Sequence, residues 1–225
     1  MNLLLEHTAD LLKDAPFPWA ICGGFALELF LGKEVRPHGD IDLCVFEKDR
    51  ERILSYMLLK GWNVYEFRGN GRLRPLDASA KSETDRNLMC LGEGCELVKF
   101  YPCEEKPLVY YEFFHTGIQK LNYLEFLFNK ADDTRFIFDR ERNLTRELSR
   151  AILHRDGIPY LAPEIVLLYK ASQVENADYQ LDFEQAFPML RDEQREWFVN
   201  GLRAIYPNGH KWDIRECPLI SVLPL

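Results

Sequence analysis

The sequence predicts an α+β protein, with a strand-rich N-terminal part followed by a more helical C-terminal part. Three observations carry that reading. Short runs such as residues 40–46 and 62–67 alternate polar and apolar side chains, the period of a strand with one buried face. Runs with apolar residues three and four apart, such as 2–13 and 48–60, have the period of amphipathic helices. At Pro163 the texture changes to apolar helix and clustered acids, which puts a boundary between parts within 129–145.

Taken in order, Leu3, Leu4, Leu5, Leu11 and Leu12 make a first helix that Pro16 and Pro18 end. Residues 19–22 form a brief apolar strand running into Gly23-Gly24. A helix rises from Phe25 and stops near Gly32, a C-cap glycine. In the strand at 40–46, Ile41, Leu43 and Val45 share one face, and Asp40, Asp42 and Cys44 the other. A helix over 48–60 ends at Gly61, a strand covers 62–67, and Gly69-Asn70-Gly71 is a turn. Residues 74–85 read as a polar loop, followed by strands at 87–91, 95–101, 108–115, 119–128 and 134–138. Asp156-Gly157 is a turn between strand-like pieces at 150–154 and 158–161. Pro163 opens a helix running to about Val174, with proline tolerated in the first turn, and a last amphipathic helix covers 190–205.

The 225 residues suffice for one large domain or two small ones sharing a cleft. With 47% apolar and 28% charged residues, the chain is neither disordered nor collagen-like. A net charge of −8 gives no global attraction to nucleic acid or anionic lipid and favours a cationic partner. No run approaches the roughly 18 apolar residues of a membrane span. The N-terminus has no basic stretch before its short apolar run, so a signal peptide is not expected and a cytoplasmic location is. Cysteines at 22, 44, 90, 95, 103 and 217 show neither zinc-knuckle nor disulfide-framework spacing, and Cys90, Cys95 and Cys103 are the three near enough in sequence to share a metal.

The chemistry concentrates in two runs, Ile21-Cys22-Gly23-Gly24-Phe25-Ala26-Leu27-Glu28 and Arg36-Pro37-His38-Gly39-Asp40-Ile41-Asp42-Leu43. Strand residues two apart share a face, so Asp40 and Asp42 present adjacent carboxylates able to hold a hard divalent cation such as Mg2+. Apolar residues on the opposite face would anchor these ligands in a core. Glycines at 23 and 24 let an anion approach the backbone, and the helix that follows aims free N–H groups and its positive dipole end at that anion. A phosphate-cradling turn, followed on the next strand by a carboxylate pair for the counter-metal, describes a nucleoside triphosphate site. Taken singly, each piece has a plainer reading: an exposed acidic edge, a tight turn, a loop histidine, a surface arginine. Phosphate-binding P-loop, hydrolase-elbow and zinc-protease motifs are absent, and Gly69-x-Gly71 and Gly92-x-Gly94 lack the third glycine of a dinucleotide fingerprint.

These residues resemble the nucleotidyltransferase superfamily that includes DNA polymerase beta, and more closely the small antibiotic nucleotidyltransferases acting on lincosamides and aminoglycosides. That branch shows Gly-Gly-aromatic, an acid three positions on, Leu-Gly, and Arg-x-His-x-Asp-x-Asp; here these are Gly23, Gly24, Phe25, Glu28, Leu31-Gly32, Arg36, His38, Asp40 and Asp42. The chain departs with Phe25 where tryptophan is common, with Glu28 where aspartate is common, and in having no serine or threonine beside the glycines. The resemblance extends more loosely over residues 157–170 and Asp182-Phe183-Glu184.

The resemblance implies a nucleotidyltransferase fold, a mixed β-sheet flanked by helices. It places a catalytic domain over 1–130 and a mixed or helical domain over 131–225 that closes the acceptor cleft. It implies Mg2+ on Asp40, Asp42 and a third carboxylate that also serves as base. Glu125, a charge inside an apolar strand, is the best match for that acid, and Glu112 competes with it. Gly23, Gly24, Arg36, His38 and Lys170 are the implied contacts to ATP or another nucleoside triphosphate. The implied activity is transfer of a nucleoside monophosphate, AMP from ATP, to a hydroxyl of a small molecule. Acids at Glu175, Asp178, Asp182 and Glu184 favour a polycationic, aminoglycoside-type acceptor, with a lincosamide-type acceptor close behind. The alternatives are a toxin-type enzyme modifying tRNA or protein, against which the missing basic patch argues for tRNA, and an inactive relative that senses nucleotide or drug.

Overall fold

The computed structural model describes residues 2–79, 86–114 and 120–213. In chain order the elements are α1 (Leu3–Leu12), β1 (Ala20–Ile21), α2 (Gly23–Leu31), β2 (Asp42–Phe46), α3 (Arg50–Leu59), β3 (Asn63–Gly69), β4 (Arg72–Leu76), β5 (Leu88–Leu91), β6 (Val98–Pro102), β7 (Val109–Phe113) and β8 (Tyr123–Ala131). There follow β9 (Arg135–Ile137), β10 (Thr145–Glu147), α4 (Leu148–Ala151), β11 (Ile152–Arg155), β12 (Ile158–Leu161), α5 (Pro163–Lys170), α6 (Ala177–Ala186) and α7 (Asp192–Ile205). The strands form a mixed sheet in the order β11-β12-β1-β2-β8-β5-β3-β4-β7-β6, with β9 paired to β8 and β10 to β9. Only β1–β12 and β2–β8 run parallel among the described pairs. The architecture is therefore α+β with a helix-flanked mixed sheet, as the sequence predicts. None of the described helices is long and apolar enough to cross a membrane.

The strand alternation is borne out where it matters most. Ile41, Leu43 and Val45 are completely buried, and on β8 Leu124 and Phe126 face the same core, which Phe17 and the α3 residues Ile53, Leu54 and Met57 complete. Cys44, on the carboxylate side of β2, is also buried because it packs against Asn129 of β8, whose amide lies 3.3 Å from its sulfur. Gly32 ends α2 in the left-handed conformation (φ 72°), its N–H donating to the Glu28 carbonyl. Both expected hairpin turns have left-handed residues in sequence, Asn70 with Gly71 and Asp156 with Gly157.

Three elements differ from expectation. Helix α2 begins at Gly23 rather than Phe25, so the two glycines are its first turn. Strand β4 runs into the stretch expected to be loop from residue 74. Its polar residues pair instead of facing solvent, Arg74 reaching the buried Glu66 at 3.1 Å, and Pro75 lies beyond the two residues that pair with β7. Helix α6 occupies what read as an acidic cluster. Asn176 caps it by accepting from the Asp178 and Tyr179 N–H groups, and its apolar face is only Phe183 and Ala186. Strand β8 starts at Tyr123, and residues 80–85 of the expected loop, residue 115 of the third expected strand, residue 119 and Cys217 lie outside the described residues.

Candidate active site

Parallel pairing of β2 with β8 puts Asp42 directly opposite Glu125, with the Glu125 N–H donating to the Ile41 carbonyl at 3.0 Å. The two carboxylates therefore leave one face of the sheet from adjacent strands, and Asp40 lies two residues before Asp42 on the same side. Their charges are felt mutually. Burial first, then the charges of Asp40 and Glu125, hold the Asp42 carboxyl well above the usual carboxylate range. Burial also raises Asp40, and it pushes Glu125 up to about 7 against the hydrogen bond donated by the Tyr123 hydroxyl. Lys170 and Arg36 lie near enough to oppose the Asp42 shift, but neither forms an ion pair with these acids among the described residues.

The bend at Gly23-Gly24 sits against this cluster. The Cys22 N–H donates to the Asp42 carbonyl at 2.8 Å, and Gly23 has φ of +63°. A Cβ at Gly23 would lie 2.2 Å from Asp42 Oδ2, so only glycine allows that carboxylate so close to the helix start. At Gly24 the equivalent space is taken by the chain's own side chains: a Cβ would meet the His38 ring at 2.3 Å and the Arg36 guanidinium at 2.9 Å. Gly23, with Asp42 against it, lines a cavity of about 430 Å³ together with Tyr169, Lys170 and Tyr179, and Gly24 does not. The N-terminus of α2 has no side-chain cap, which leaves its first N–H groups to an anion.

The cations expected to meet a triphosphate are held by a residue whose role the sequence reading missed. Asp182 of α6, 2% exposed, accepts from Arg36 Nε and Nη2 at 3.1 and 3.0 Å and pairs with Lys170 Nζ at 3.0 Å. Lys170 also lies 3.9 Å from the centre of the Tyr179 ring. Burial opposes the Arg36 charge, but Asp182 and Asp178 outweigh it and raise its pKa. His38 packs on Phe25 at 4.1 Å and sits 3.0 Å from Glu28, a carboxylate that also accepts from the Val35 and Arg36 N–H groups. Burial alone would raise Glu28; the contact with His38 and those amide bonds outweigh it and keep its pKa low. Glu28 thereby shapes the loop that delivers Arg36, His38 and Asp40.

The structure thus gathers Gly23, Asp40, Asp42, Glu125, Arg36 and Lys170 around one face, with Gly24 and His38 beneath it. It does not bring in Glu112, which is exposed on β7 across from Lys99. Of the acids of residues 175–184 only Asp182 is buried; Glu175, Asp178 and Glu184 are exposed, Glu175 3.8 Å from Lys211, Asp178 3.5 Å from Arg36, and Glu184 accepting from Gln180. The signal for Asp182 was in the Asp182-Phe183-Glu184 match, but nothing local showed that its carboxylate turns inward.

The three clustered carboxylates fit a hard divalent cation. They are half-buried acids that form no ion pair among the described residues, and burial raises the pKa of each. Among the described residues no three His, Cys, Asp or Glu side chains form a set able to hold a metal ion by themselves. Mg2+ takes only a few protein oxygens and fills its octahedron with water and phosphate, so Asp40, Asp42 and Glu125 would hold it together with a triphosphate and not alone. Cys90, buried with its thiol raised by burial, and the half-buried Cys95 are not part of such a set.

The raised Glu125 pKa has a measurable consequence. A carboxyl held near 7 in the fold and in its ordinary range when unfolded costs no stability at pH below both values, and that cost grows as pH rises through the interval. In metal-free protein, Glu125→Gln should therefore melt several degrees above the parent at pH 8 and together with it near pH 4.5. Thermal denaturation in chelator at both pH values checks this.

Residues 4–79 match the aminoglycoside-2''-adenylyltransferase family. A comparison with curated protein sequences gives no significant match. Among solved structures, the antibiotic-resistance factor ANT(2'')-Ia is similar at 14% identity over 92% of each chain, with a TM-score of 0.52. The lincosamide antibiotic adenylyltransferase LnuA, solved with lincomycin bound, is similar at 12% identity over 84% of this chain and 98% of its own, with a TM-score of 0.50. At these identities the structural likenesses establish the fold, and the family match covers the segment that carries the glycine bend and Asp40 and Asp42. Over residues 4–79 this chain is similar to the aminoglycoside-2''-adenylyltransferase family, and its fold is shared with solved antibiotic adenylyltransferases.

Proposed function

We propose that this chain moves a nucleoside monophosphate, AMP from ATP, to a hydroxyl of a small molecule, an antibiotic of aminoglycoside or lincosamide type. The observation that supports it above all is the pairing of Asp42 with Glu125 beside the uncapped start of α2. On this reading Asp40, Asp42 and Glu125 hold Mg2+, which when bound neutralises charge on the triphosphate and the departing pyrophosphate. The chain's own groups do the rest. The α2 N–H groups and Lys170 receive phosphate oxygens at the cavity mouth. Arg36 stands behind them, and Asp182 fixes both cations in place. Glu125 takes the proton of the attacking hydroxyl as its oxygen bonds to the α-phosphorus and the bond to pyrophosphate breaks.

Incubation with ATP labelled at the α-phosphate, Mg2+ and a panel that includes tobramycin and lincomycin tests the reading. The expected result is label on one panel member, with release of pyrophosphate. Label on none of them defeats the antibiotic assignment.

A further inference from the structure

The face that bears Asp42 and Glu125 continues beyond the carboxylates. Glu125 pairs across the sheet with Met89, and Met89 with Tyr65, so Tyr65 stands in the same row. Aromatic rings then follow one another in contact. Tyr65 stacks on Phe100 with centroids 4.8 Å apart, and Phe67 meets Tyr111 edge-on at 5.9 Å. Tyr111 meets Phe113 at 5.9 Å, Phe113 meets Tyr123 at 5.7 Å, and Tyr123 donates its hydroxyl proton to Glu125. The wall thus returns to the carboxylate assigned as base. Its outer rings are open: Phe113 is 50% exposed and Phe100 38%. None of these six residues lines the cavity at Gly23 and Lys170, so the carboxylates stand between that cavity and the wall.

Neighbouring aromatic rings offer flat apolar surface with hydroxyls at the edges, at little entropic cost to order. That surface suits a ring-bearing acceptor with a hydrophobic flank. A molecule with several ammonium groups needs carboxylates instead, and none of the six wall residues is acidic. We propose, on the transferase reading given above, that this wall is the acceptor platform. It seats a hydroxylated sugar-like ring carrying an apolar flank, the lincosamide kind of chemistry, and directs one hydroxyl at Glu125.

Lincomycin is the probe and Phe113→Ala the variant, because Phe113 is exposed and its loss spares the core. Tyr110→Ala is the control: Tyr110 lies on the opposite face of the same strand, pairs with Tyr101 and is 44% exposed. Equilibrium binding of lincomycin is measured in the presence of a non-hydrolysable ATP analogue and Mg2+, alongside turnover with ATP. The expected result is binding to the parent chain, about tenfold weaker in Phe113→Ala and unchanged in Tyr110→Ala. Turnover should show the same loss in the acceptor KM, with kcat within twofold and the ATP KM unmoved. Absence of lincomycin binding to the parent, or affinity indifferent to Phe113, overturns the platform. Transfer to tobramycin that Phe113→Ala leaves untouched also overturns it and keeps the transferase. Lincomycin binding that depends on Phe113 with no label transferred keeps the platform and defeats the transferase reading.

Discussion

Asp42→Asn is expected to lower kcat by about 10³-fold while making the metal-free protein more stable, a pairing of effects that few substitutions give. The loss follows from its place. Asp42 faces Glu125 across β2 and β8 and lies against the first turn of α2, so on the proposed reading a neutral amide there would remove a charged ligand for Mg2+. Removing one preorganised electrostatic contact of this kind costs about 10²–10³ in rate, and a charged one falls at the upper end. The gain follows from its burial. The carboxyl is held well above its ordinary pKa by desolvation and by Asp40 and Glu125, so ionising it costs more in the fold than in the unfolded chain. That penalty is absent at low pH and appears as pH rises. Steady-state kinetics and thermal denaturation in chelator check the two halves. Adding Mg2+ should raise the melting temperature of the parent and barely move that of the variant.

Asp182→Ala should have the largest effect on stability, about 3–5 kcal/mol, because it strands two buried cations without their common counter-ion. Arg36 comes from the loop before β2 and Lys170 from the end of α5, and both converge on this one carboxylate of α6. Their side chains are only 13% and 9% exposed, so water does little to replace it. For a chain of this size the loss corresponds to a melting temperature lower by roughly 10 °C. The freed cations also face a site built for an anion. Inorganic triphosphate should therefore restore more stability to the variant than it adds to the parent, where Asp182 already occupies the same groups. Differential scanning calorimetry with and without triphosphate measures both. A variant that melts with its parent would show that the bridge carries no net energy.

Much of this arrangement was legible in the residues, and for physical reasons. Asp40 and Asp42 declare themselves because alternation along a strand with buried Ile41, Leu43 and Val45 leaves only one side for their carboxylates. Glu125 declares itself as a charge within Leu121–Phe128, where burial without a partner is costly. The helix start at Gly23 was displaced by two residues, because its positive φ is imposed by the close approach of Asp42 from β2, which neighbouring sequence does not encode. Helix α6 was hidden by its polarity. Its inward carboxylate at Asp182 is stabilised by partners 146 and 12 residues away, and no local period marks such a position. The aromatic wall was invisible for the same reason: Tyr65, Phe100, Phe113 and Tyr123 sit on four strands and meet only when β6 and β7 fold against the rest.

The most direct measurement is a crystal structure of the protein with a non-hydrolysable ATP analogue and Mn2+ in place of Mg2+, located by its anomalous scattering. The account predicts metal density touching Asp40, Asp42 and Glu125, with the triphosphate over the α2 N-terminus at Gly23 and the α-phosphorus turned toward Tyr123. Metal bound elsewhere, or a nucleotide seated away from Gly23, would contradict it.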